Sequence, residues 1–70
     1  MIEQNEIDRL RLVGALVGAR VTVRRTKSGY HGRIGVVEEC DDAMIFNICV
    51  KFEGDPLSVW FQSHHLRLVP

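Results

Sequence analysis

Polar and apolar positions near the start of the chain repeat with a helical period. Ile7, Leu10, Val13 and Val17 follow one another at three- and four-residue spacing, which places them on one stripe of an α-helix. Asn5, with Asp8 three residues later, predicts the helix start: Asn caps well and an acid suits the first turn. Gly14 and Gly18 weaken the helix, and one of them is expected to end it. The segment is expected to pack across the open end of a barrel; docking onto another subunit and a loose terminus are the alternatives.

After Gly18 the period changes to two. Residues 20–24 read Arg-Val-Thr-Val-Arg, a half-buried strand with Val21 and Val23 inward. Residues 26–32 hold Gly29 and Gly32 and read as a loop. Residues 34–40 form a second strand, with Gly35 expected at a bulge or sharp bend. Asp41-Asp42-Ala43 is a turn. Phe46, Ile48, Val50 and Phe52 then alternate with Asn47, Cys49, Lys51 and Glu53, the clearest strand pattern in the chain. A turn over 53–56, a strand over 57–61, a tight or 3₁₀ turn over 62–65 and a short strand over 67–69 complete the pattern.

Short strands joined by hairpins bury one face only by curling. The pattern therefore predicts an all-β fold: a five-stranded, partly open barrel (residues 18–70) behind a short N-terminal α-helical segment (residues 1–17). At 70 residues there is room for one domain. An apolar share of 46% argues against disorder. A core this small leaves no room for a large cleft within one chain, so an enzymatic site would be shared between subunits.

Charge adds a second layer. Nine Lys and Arg balance nine Asp and Glu, fewer cations than a dedicated nucleic-acid binder carries. The charges are nonetheless segregated. Arg20, Arg24, Arg25, Lys27 and Arg33 occur with no acid between them, and Glu38, Glu39, Asp41 and Asp42 follow with no base. Such a layout steers a polar partner or a second copy of the chain. Pairing of the two sets, within the molecule or with a neighbour, is the expectation favoured over phosphate contact. The acidic start, the absence of a 20-residue apolar run and the two cysteines together predict a cytoplasmic protein with reduced thiols. Cys40 and Cys49 flank a hairpin turn at a spacing that would set them opposite each other.

Three features resemble the SH3-like barrel superfamily. Val21-x-Val23, then Gly29-x-x-Gly32-x-x-Gly35-x-Val37, is similar to the KOW motif of ribosomal and transcription-elongation proteins, although His31 stands where that motif commonly has Lys. Phe61, followed five residues later by Leu66, resembles the strand, 3₁₀ turn and strand that end such domains. The strand order and spacing between them is the third. Lys27-Ser28-Gly29 and Tyr30-x-Gly32 are also similar to type II dihydrofolate reductase, a tetramer with one shared pore. The pore motif of that family, Val-Gln-Ile-Tyr, reads Ser58-Val59-Trp60-Phe61 here, so no catalytic residue carries over. The layout is also similar to small antirepressors and photosystem accessory subunits that bind proteins.

Binding, not catalysis, is the function expected: a regulatory or accessory protein whose partner is a protein, including another copy of itself. Trp60, Tyr30, His31 and Lys27 are the candidate partner-binding residues. If Val59 and Phe61 face the core, Trp60 faces outward, where an aromatic is enriched at interfaces; cover by the helix is the alternative. Tyr30 would stack on a partner or cover the barrel. The alternative function is KOW-like contact with an RNA or DNA backbone through Arg20, Arg24, Arg25, Lys27 and Arg33. A tetrameric NADPH-dependent reductase is the third. No cofactor is expected for the binding functions. No metal is expected either, since His31, His64, His65 and the cysteines lack ligand spacing, and adjacent His64 and His65 should point to different sides.

Overall fold

A computed structural model of the chain describes residues 3–70, with side chains from Glu6 onward. Helix α1 (Glu3–Leu12) precedes five antiparallel strands among the described residues: β1 (Arg20–Val23), β2 (Ile34–Cys40), β3 (Ile48–Phe52), β4 (Val59–Phe61) and β5 (Leu66–Leu68). A 3₁₀ turn, Ser63–His65, joins the last two. All five lie in one sheet ordered β4-β3-β2-β1-β5. The edges β4 and β5 do not pair with each other, so the sheet curls without closing into a barrel. The mostly β architecture with one short helix is the one the pattern predicts.

One face of the sheet carries the core. Val21, Val23, Val37, Ile48, Val50 and Phe52 fill it from the central strands, and Phe61 and Leu66 from the edges. Ile7 of α1 and Leu16 of the following turn complete the same core. Gly35 sits on this inner face, buried, opposite Phe52. It is not at a bulge, as expected from sequence. The register shift lies between Val37 and Glu39, where Glu38 is the extra residue. Gly35 instead leaves room for its neighbours: an added Cβ would stand 2.6 Å from Val50 Cγ1 and 2.9 Å from Phe52 Cδ1.

The helical stripe ends sooner than its spacing predicts. Ile7 is buried and Leu10 half-buried, but Val13 and Val17 are exposed. Gly14, at φ +75°, closes a Schellman turn: Ala15 N–H donates to Leu10 O and Gly14 N–H to Arg11 O. The chain then reverses, and Leu16 takes the core position the stripe had assigned to Val13. Asn5 lies inside the helix, not before it; its side chain, and with it the expected cap bond, lies outside the described residues.

β3 also departs from its pattern. It begins at Ile48, so Phe46 and Asn47 belong to the preceding turn, where Asp41 N–H donates to Asn47 O. Phe46 is exposed and Cys49, expected outside, is buried. Register also separates the cysteines. Cys40 pairs with Ile48 and Cys49 with Glu39, so the two do not oppose each other. Both thiols are free.

Candidate interaction surface

The core face is covered, and the opposite face is not. On β2, Ile34 and Val36 point outward and remain 47% and 42% exposed. Pairing places Thr22 beside Ile34, and Arg20 and Lys51 on the two sides of Val36. Arg67 lies beside Thr22 on the far side of β1. Past the bulge the character reverses: Glu39 faces Cys49, and Cys49 faces Trp60. The outer face thus runs from cations and aliphatics at the Ile34 end to carboxylates at the Glu39 end. At about 3.3 Å per residue, those ends are roughly 16 Å apart.

Trp60 is half-buried on this face, outward as alternation requires. Its cross-strand neighbour on the same face is Cys49, and the Ser58 hydroxyl, just before β4, donates to Glu38 Oε1 of β2. Burial pushes the Cys49 thiol up from its ordinary value, an effect that the Ser58 hydrogen bond partly offsets. Burial also raises Cys40.

The predicted cations divide into two groups. Arg33 is used within the chain: it pairs with Asp55 at 3.2 Å and lies over the rings of Tyr30 and Phe52. Arg20, Arg24, Arg25 and Lys27 are exposed, and none makes an ion pair among the described residues. The expected pairing of the basic segment with residues 38–42 inside the molecule is therefore not found. Asp42 pairs with Arg11 of α1 at 2.6 Å, and Glu39 has no cation partner among the described residues. β2 holds the two sets apart along its length.

Tyr30 stacks on Phe52 at 4.8 Å and meets the edge of Phe61 at 6.3 Å, so its ring belongs to the core's aromatic cluster. His31 is exposed and bridges to Val23. With Thr22, Arg24, Gly32 and Arg67 it lines an open groove of about 530 Å³. Lys27 is exposed in the same loop but does not line it. His64 and His65 do not diverge as expected; on the 3₁₀ turn their ring centres are 4.1 Å apart. Arg24 N–H donates to His65 O, and burial, then His64 and Arg25, hold the His65 imidazole below its ordinary value.

Among the described residues no three His, Cys, Asp or Glu side chains converge as a metal site requires. No described helix is long and apolar enough to cross a membrane. A second apolar region lies on two segments tied by the Arg11–Asp42 pair: Leu12 and Val13 on one, Ile45 and Phe46 on the other, all exposed.

Sequence reasoning named Trp60, the cations and, within the acidic run, Glu39, but passed over Ile34 and Val36. The run Ile34-Gly35-Val36-Val37 carries the relevant mark, since apolar residues of both parities imply an outer face that is itself apolar. Comparison with protein-family models and with curated proteins gives no match.

Proposed function

We propose that the chain is a small, non-catalytic binding module of the SH3-like barrel type that docks onto another protein through the outer face of its sheet. The observation that carries this reading is the exposure of Ile34 and Val36 at the centre of a charged face, while the core is complete without them. Burying the exposed halves of two such side chains contributes roughly 2–3 kcal/mol. The charges around them add register and association rate more than affinity. The strand order and the 3₁₀ turn before β5 support the barrel resemblance. Two free thiols, Cys49 buried and Cys40 half-buried, suit a reducing, cytoplasmic setting.

A second reading has its own observation. The groove beside Arg24 and His31 is open and cationic, which suits the phosphates of an RNA or DNA backbone.

Two probes separate the readings: a peptide alternating Asp with Leu, and a single-stranded oligonucleotide. Docking through the face predicts that the peptide binds and that Ile34→Ser/Val36→Ser weakens it about tenfold or more. Phosphate binding predicts tighter capture of the oligonucleotide, a steep loss with salt, and no effect of the double serine variant. NADPH binding by a tetramer would replace both with a shared-pore reductase.

A further inference from the structure

We propose that the protein docked on the outer face presents an acidic amphipathic helix, laid along β2 with its N-terminus toward Glu39. This rests on the reading of that face as a protein-docking surface, and it names the chemistry of the occupant.

Strand register sets out the face in rows. The middle row reads Arg20, Val36, Lys51 across β1, β2 and β3. The row to one side reads Arg67, Thr22, Ile34 across β5, β1 and β2. The row to the other side, past the bulge, reads Glu39, Cys49, Trp60 across β2, β3 and β4. Ile34 and Val36 therefore make an aliphatic stripe along β2, with Arg20 on one flank of it and Lys51 on the other. Arg20 is exposed and makes no ion pair among the described residues. The Lys51 ammonium donates to the backbone carbonyl of Asp55, which holds it in place and leaves its charge uncancelled. Glu53, one residue past β3, lies in the following turn. An apolar stripe with a cation on each flank is complementary to an apolar stripe bordered by carboxylates.

The spacing selects a helix. Alternate residues of a strand stand about 6.6 Å apart. Residues i and i+4 of a helix rise about 6 Å, so two successive apolar positions of one stripe sit on Val36 and Ile34 together. Arg20 and Lys51, one strand to either side of β2, are separated by about 10 Å of backbone, the width of a helix. Carboxylates on both borders of the helical stripe reach both cations at once. An extended peptide of alternating Asp and Leu lays its leucines on the same stripe but carries its carboxylates on its other side. Glu39 sets the direction. It is exposed, with no cation partner among the described residues, and it suits the unpaired N–H groups and positive dipole end of a helix N-terminus.

Isothermal titration with three peptides tests this. One is a helix-forming peptide with leucines at i, i+4 and i+8 bordered by glutamates; the second has lysine for each glutamate; the third is the alternating Asp and Leu peptide. The natural chain should bind the acidic helix about tenfold or more tightly than the basic one, and more tightly than the alternating peptide. Arg20→Glu should weaken the acidic helix about three- to tenfold and strengthen the basic one. Lys51→Gln should weaken the acidic helix by less, with circular dichroism checking its fold; Arg20 is exposed, so the first variant decides alone if the second fails to fold. A nitroxide on the peptide N-terminus should broaden the NMR signals of Glu39, and one on the C-terminus those of Thr22 and Ile34; the reverse pattern overturns the direction. Preference for the basic helix, or for the alternating peptide, with binding still lost in Ile34→Ser/Val36→Ser, overturns the acidic helix and leaves the docking face standing. Binding of no peptide, or binding indifferent to the double serine variant, overturns the docking reading and this proposal with it.

Discussion

A methyl group added at position 35 would stand 2.6 Å from Val50 Cγ1 and 2.8 Å from the Lys51 carbonyl oxygen, and the second of these is backbone that cannot swing aside. Gly35→Ala should therefore cost about 1–3 kcal/mol, a large share of the few kcal/mol a core of this size supplies. Urea unfolding measures it, and a loss under about 0.5 kcal/mol would contradict the tight approach. His65 makes a pH prediction of definite sign. Burial, His64 and Arg25 favour its neutral form, so the unfolded chain binds the proton more readily than the folded one. Its contribution is complete above the unfolded value near 6.5 and is lost as pH falls through the lower folded value. The melting temperature should drop on acidification below about pH 6.5, and His65→Asn should flatten part of that drop. An NMR titration midpoint for His65 above 6.5 would reverse the sign. Neither residue announced its role in the sequence. Gly35 read as a bulge or bend because strand glycines commonly mark one, and His65 read as pointing to the opposite side from His64 because alternation was carried into a 3₁₀ turn.

At the scale of elements, strands were more legible than ends and faces. β1, β2 and the short β4 and β5 stand within two residues of their predicted bounds, because each is a brief apolar run between turn residues. The helix was legible in kind but not in length. Its stripe continues on paper past Gly14, while the Schellman turn reverses the chain there and substitutes Leu16, a residue in no period. β3 lost its first two expected residues to a turn that needed them. Cys49 lies buried on the outer face between its cross-strand partners Glu39 and Trp60, a pairing no local pattern holds. The helix also yields a test of its own. Ile7 is fully buried against the strands, so Ile7→Ala should lower stability by about 2–4 kcal/mol. An accessory tail would lose almost nothing; thermal or urea unfolding of this one variant distinguishes the two.

For the whole molecule, net charge conceals what register reveals. The separation of bases from acids was visible in the sequence, but their place on one side of one sheet, with Arg20 and Lys51 flanking Val36 and Glu39 past the bulge, follows only from which strand residues stand opposite. Tyr30 and Arg33, both named as candidates, proved to serve the core, while Arg20 and Arg24 kept the exposure a partner needs. The claim that the outer face is a protein-docking surface is tested most directly by titrating isotope-labelled chain with the peptide alternating Asp with Leu and following the Ile34 and Val36 methyl resonances. Shifts centred on those methyls are the predicted result. Shifts confined to Arg24 and His31, or to Leu12, Ile45 and Phe46, or no shift at all, would contradict it.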